Sequence, residues 1–332
     1  MLYRKLGSTD LTVSAICQGT WSVATKDFFW ENQDRADSVA AIRAGLDAGV
    51  NFFDTAPAYG NGEAEEILGQ ALDGHRHEVV VATKVAAADL EPDKLRQSCE
   101  RSLHALRTDF IDLYQVHWPS PALLSEPTWQ TLQTLRQEGK IRHLGVSNCG
   151  ATYLDELPRF SRVESNQVPY SLLWRAVEFD IQPRCVAAQL SLLCYSPLAQ
   201  GLLTGKFHAA DEVPEKRART RLFSAARKLT RHGEPGCEGL AFAVVAEIRA
   251  AAAERGLAMG QAALAWLLRQ PAVTAVVVGA RTAVQAADNS AAAGVELDGE
   301  FAAKLSRLTD SLKQAIGPNA DPWEHVSRME KG

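Results

Sequence analysis

The chain has 332 residues, of which 46% are hydrophobic and 23% charged, a globular composition that excludes disordered and fibrous classes. A formal net charge of −5 argues against nucleic acid as the main partner, because neutralising phosphates needs a basic surface. No apolar run reaches the roughly 18–20 residues that span a bilayer, and "MLYRKLGSTDLTVSAI" holds a turn where a signal peptide has its apolar core. A cytoplasmic protein with no membrane partner is therefore expected. A chain of this size buries its own core, so a monomer is the default, with a homo-oligomer left open.

Short apolar runs alternate with helical patterns along the whole chain. A hairpin is expected first, over "LYRKLGS" and "TDLTVSAI". Strands follow at 14–21, 50–56, 78–84, 110–118, 141–148, 163–170, 191–197 and 273–280. Most are continuously apolar, as expected of parallel strands covered on both faces. Between them lie helix patterns such as "DRADSVAAIRAGLDAG", which opens on a capping residue and closes on glycine. Eight β-then-α repeats predict a (β/α)₈ TIM barrel, with the hairpin before it and the helix from "LDGEFAAKLSRLTDSL" packed outside. The whole of 1–332 is read as a single barrel domain. A doubly wound sheet is disfavoured because no G-x-G-x-x-G follows the first strand.

Two further features bear on function. The six cysteines form no CxxC pair and no ligand cluster with histidine, so buried thiols are expected, with no metal and no disulfide. The stretch 206–238 breaks the β/α rhythm and holds the basic run "EKRARTR". It reads best as a solvated loop; the alternatives are nucleic-acid binding and a flap folded over an anionic ligand at the rim.

A barrel presents chemistry at the C-terminal ends of its strands. Strand two ends on Asp54 and its loop holds Tyr59; strand three ends on Lys84; strand four ends on His117. Each alone has an ordinary account: a turn cap, a surface aromatic, a snorkelling lysine, a hydrogen-bonded core histidine. Together on neighbouring strands they fit proton transfer to a carbonyl. A tyrosine has an ordinary pKa of about 10, and a neighbouring ammonium is expected to lower it. The carboxylate fixes the ammonium, and a neutral imidazole orients the carbonyl. None of the four supplies a hydride, so a cofactor is required.

The motifs "NFFDTAPAYGNGEAEEILG", "ATK", "DLYQVHWP", "RHLGVSN", "NQVPYSLL", "YSPLAQGLLTGK" and "GARTAVQAADN" run nearly the length of the chain, and the sequence resembles an aldo-keto reductase. The resemblance implies a catalytic tetrad of Asp54, Tyr59, Lys84 and His117. It implies a nicotinamide dinucleotide across the barrel mouth, its carboxamide held by Ser147, Asn148 and Gln167 and its ring stacked on Tyr195. Ser196, Pro197, Leu198, Gln200, Gly201, Leu203 and, more weakly, Lys206 would line the pyrophosphate. Gly279, Arg281, Gln285, Asp288 and Asn289 would hold the adenosine end, with Arg281 on a 2′-phosphate, so NADPH is expected over NADH. Asp288 stands where the family more often has Glu, and "VVVG" where it often has "IPG".

The substrate expected is an aldehyde or ketone of modest size, in a pocket walled by Trp21 and Trp118, with Phe28, Phe29 or Trp30 from the first loop. Two other readings fit the same residues. One is a barrel that binds NADPH as a sensor or regulatory subunit with little turnover. The other is a lyase that uses Lys84 as a Schiff-base nucleophile.

Overall fold

The computed structural model describes residues 1–30 and 32–331. Two short antiparallel strands, β1 (Tyr3–Lys5) and β2 (Thr12–Ser14), form the hairpin. Eight parallel strands follow: β3 (Ile16–Gly19), β4 (Phe52–Asp54), β5 (Val80–Val85), β6 (Ile111–Val116), β7 (Ile141–Ser147), β8 (Ser165–Pro169), β9 (Ser191–Tyr195) and β10 (Val273–Gly279). They close into a barrel in which β10 pairs with β3. Each falls on a segment expected to be a strand, β5 running one residue past the expected 78–84, and helices connect them on the outside. Among the described residues no helix is long and apolar enough to cross a membrane.

The continuously apolar strands follow from burial on both faces. Phe52 packs with Cys17, Val80, Ala82, Leu113, Leu193, Ala275 and Val277 inside the barrel, while Phe53, Val81 and Tyr114 join the outer core beneath the helices. Burying a phenylalanine is worth about 1.5–3 kcal/mol, so each face of this strand contributes. Leu6, Leu11 and Val13 belong to the interior cluster, so the hairpin stoppers the N-terminal end.

Side chains alternate along a strand, and that alternation builds the site. One layer above Phe52 comes Asp54; above Ala82 comes Lys84; above Leu113 come Gln115 and His117; above Leu193 comes Tyr195. The apolar floor thus gives way to a polar layer at the C-terminal mouth. The helix Arg35–Asp47, capped by the Asp34 carboxylate, and the helix Ala283–Ala291, capped by the Thr282 hydroxyl, begin where the sequence signals place them. The long helix Gly299–Ile316 lies outside the barrel, packed on Glu238–Glu254.

Candidate active site

Asp54 is the hub of the polar layer. Its Oδ1 accepts from Lys84 Nζ at 2.6 Å, and its Oδ2 accepts from the amides of Gln167 at 2.7 Å and Gln115 at 3.2 Å. Lys84, fully buried, also donates to the Thr55 carbonyl at 2.9 Å and to the Tyr59 hydroxyl at 3.3 Å. All three ammonium donors are therefore used. Because Lys84 donates to the phenol oxygen, the Tyr59 proton is directed to another acceptor. The His117 ring lies 5.8 Å from the Tyr59 ring at 85° and makes no hydrogen bond among the described residues.

Burial pushes the Lys84 ammonium down, but Asp54 and Tyr59 outweigh it and hold the group above its ordinary value. An ammonium so held and fully enclosed is no Schiff-base nucleophile, which removes the lyase reading. Burial, assisted by the Lys84 charge, drives the His117 imidazole down to about 3, so it is neutral near pH 7. For Tyr59 the expectation was the wrong way round. Lys84 does favour the phenolate, but desolvation of the half-buried ring in the barrel mouth is the larger effect and the hydroxyl stands above the ordinary tyrosine value.

Tyr59, Asp54 and His117 line a cavity of about 790 Å³, at the upper end of the roughly 300–1,000 Å³ common for ligand pockets. Ser147, Asn148, Gln167, Tyr195, Ser196, Pro197, Leu198, Gln200, Gly201 and Lys206 line it too, as do Gly279, Arg281, Gln285, Asp288, Asn289, Trp21 and Trp118. Leu203 does not: it is buried in the core and takes no part in the wall. Trp21 stacks on Tyr59 with centroids 6.2 Å apart. Phe29 and Trp30 line the cavity, whereas Phe28 lies outside it and is exposed.

Several expected cofactor residues already have protein partners. Asn148 donates to the His117 carbonyl at 3.0 Å and accepts from the Tyr195 hydroxyl at 2.9 Å, and Gln167 is bound to Asp54. Arg281 Nε donates to Gln33 Oε1 at 2.8 Å and its Nη2 to the Asn32 carbonyl at 3.0 Å, tying the end of β10 to the first loop. Other groups await a partner. Ser22 Oγ, Trp30 Nε1 and Gln200 Nε2 are buried in the wall with no hydrogen bond among the described residues. An elongated polar guest with phosphates fits this set, because these orphaned donors and the cationic side chains of Lys206, Arg217 and Arg281 line one cavity.

The 206–238 stretch is not a solvated loop. Arg219 and Arg221 of the basic run are each 8% exposed, and Arg217, Arg219, Leu229 and Arg231 line the cavity. The irregular segment after Ile316 also reaches the mouth, where Trp323 and Arg328 line the cavity. Arg328 pairs with buried Asp321 at 2.8 and 3.0 Å and lies 4.0 Å over the Trp118 ring. Arg221 joins the two segments, binding Glu234 and the carbonyls of Asn319 and Ile316. Glu330 then accepts from the backbone N–H groups of Ala151 and Thr152. The sequence reading missed Gln115, Trp323 and Arg328. Gln115 was signalled by its position two residues before His117; the tail carried no periodic signal.

A profile of the aldo/keto reductase family matches residues 15–310. The chain belongs to the aldo/keto reductase family. It is 32% identical to the aldo-keto reductase YhdN of Bacillus subtilis over 96% of this chain and 97% of that protein. It is 29% identical to an NADH-specific methylglyoxal reductase of Escherichia coli, over 93% and 98% of the two chains. The crystal structure of an aldo-keto reductase from Klebsiella pneumoniae in complex with NADPH matches with a TM-score of 0.74 at 31% identity, covering 93% of this chain and 96% of that one. As an aldo/keto reductase the protein is an oxidoreductase of small carbonyl compounds.

Proposed function

We propose that this reductase converts an aldehyde or ketone to its alcohol with NADPH, Tyr59 giving the proton to the carbonyl oxygen. The observation that carries the reading is the Tyr59 hydroxyl held by Lys84 at the cavity wall, with Asp54 behind it. Bound at the mouth, the nicotinamide supplies a hydride to the carbonyl carbon. Lys84 stabilises the charge left on Tyr59, Asp54 keeps Lys84 charged and in place, and neutral His117 steers the carbonyl oxygen. Stacking on Tyr195 and contacts from Ser147, Asn148 and Gln167 would hold the nicotinamide end. Ser196, Pro197, Leu198, Gln200 and Gly201 would hold the pyrophosphate.

Preference for NADPH is supported by three cations near the end of β10. Lys206 and Arg217 feel the charge of Arg281, and neither has an ion-pair partner among the described residues. A 2′-phosphate would offset that mutual repulsion. The NADH-specific relative makes the preference a matter for measurement. The cavity is walled by this chain's own residues, which supports a single barrel domain working as a monomer.

The test is oxidation of NADPH and of NADH, followed at their near-ultraviolet band, with methylglyoxal as first substrate. Tyr59→Phe is expected to lower kcat by at least about 100-fold, the lower range for a positioned acid. Turnover that survives this change, or equal kcat/KM with both cofactors, would refute the corresponding half of the reading.

A further inference from the structure

Apart from Arg328, which pairs with Asp321, the cations around the cavity fall into two groups. Lys206 and Arg217 share the field of Arg281 beside β10. Arg219 instead has Arg231 and Asp27 as its charged neighbours. It belongs to the side of the mouth that holds Tyr59: Trp21 stacks on Tyr59, Phe29 packs 6.0 Å from Trp21, and the Arg219 guanidinium lies 3.6 Å over Phe29. Its other flank is Trp323 of the C-terminal tail, 4.8 Å away.

Arg219 is only 8% exposed, lines the cavity, and is joined to no carboxylate among the described residues. Its Nε donates to the Lys216 carbonyl at 2.8 Å. Asp27 is committed elsewhere, accepting from the Trp21 indole at 3.2 Å and from the backbone N–H groups of Phe29 and Trp30 at 2.7 and 3.2 Å. Burying a guanidinium without a counter-ion is costly, and burial with the Arg231 charge lowers its pKa to about 10. Elsewhere in this protein buried arginines are paired: Arg175 with Glu178, Arg221 with Glu234. Aromatic faces on two sides fix the planar fork and leave its terminal nitrogens for an oxyanion, the geometry in which arginine binds carboxylate or phosphate.

We propose that the carbonyl substrate itself carries a carboxylate or phosphate, at the end remote from the reacting carbon, and that Arg219, with Arg231 at the rim, recognises it. The inference rests on the reductase reading above and narrows its substrate class to anionic carbonyl compounds. Because the contact is far from the bond being made, its energy serves binding and appears mainly in KM.

The test compares matched pairs: 4-carboxybenzaldehyde with benzaldehyde, and glyceraldehyde 3-phosphate with glyceraldehyde, so that carboxylate and phosphate are told apart. For at least one pair the charged member is expected to have a kcat/KM about ten-fold or more above its neutral partner. Arg219→Met, which keeps the apolar stem between Phe29 and Trp323, is expected to erase that ratio chiefly through KM. Arg219→Lys is expected to restore part of it. Neutral members that do as well, or a ratio that survives in Arg219→Met, would overturn the proposal and leave the reductase reading intact. A second readout needs no turnover: quenching of tryptophan fluorescence by benzoate against benzamide, with NADP⁺ present to fill the other cation group. Tighter benzoate binding that is lost in Arg219→Met sustains the anion site even if no aldehyde is reduced, an outcome that would sink only the reductase reading. Equal binding of the two rejects the site.

Discussion

Burial sets the protonation of Tyr59 and His117, and it does so in opposite senses for an acid and a base. The unfolded chain takes a proton on His117 near 6.5, whereas the folded chain takes none until about 3. Between those values the unfolded state binds the extra proton, so stability falls as pH falls through that window. In urea unfolding measured from pH 7 to pH 4, His117→Asn should flatten the pH dependence by up to one proton; an unchanged slope would contradict a buried neutral imidazole. At this scale the sequence was legible where a charged or aromatic side chain followed an apolar strand, as at Asp54, Lys84 and His117. It was not legible where the answer depends on depth. The ammonium beside Tyr59 could be read from Lys84 alone, but the larger cost of burying a phenolate could not.

The turn after β9 shows what a single element contributes. Ser196, Ala199 and Gln200 have φ of 52, 47 and 54°, and Gly201 has φ of 100°. Left-handed backbone costs a non-glycine residue roughly 1–2 kcal/mol, so three such residues within five positions mark a conformation kept for some other benefit. The buried amide nitrogen of Gln200 also has no hydrogen bond among the described residues. Gln200→Gly should relieve the strain and raise stability by about 1 kcal/mol, as seen by calorimetry, while weakening NADPH binding in a fluorescence titration. Unaltered NADPH affinity would show that the strain serves something else. The "YSPLAQG" motif pointed to this turn, and the continuously apolar runs located all eight barrel strands. Leu203 was misplaced because a motif gives order along the chain and not the direction in which each side chain faces.

At the scale of the molecule, two segments with no strand and little helix complete the mouth. The 206–238 stretch and the tail after Ile316 are joined by Arg221 and fastened to the barrel by Glu330, whose carboxylate lies within 2.4 Å of where a Gly150 side chain would begin. Only glycine leaves room for that clasp. Glu330→Ala removes a contact comparable to a helix cap, worth about 1 kcal/mol. Trypsin should then cut after Arg328 about five-fold faster, read by intact mass, with the barrel otherwise resistant. An unchanged cleavage rate would mean that the tail is held without Glu330, by Arg221, Asp321 and the Gly150 N–H bond to the Met329 carbonyl. The barrel order was legible because it rests on repeated local patterns. The clasp was not, because it depends on contacts between residues about 180 positions apart that leave no local trace.

The hairpin stopper gives the barrel the shape of a cup. Leu6, Leu11 and Val13 seal the floor, so whatever enters leaves by the same opening. A guest is therefore judged differently along its length. Its buried end meets the unyielding Asp54–Lys84–Tyr59 group, while its outer end meets side chains borrowed from the first loop, the long loop and the tail. Drift in those three segments would retune which molecules are accepted without disturbing how they are transformed.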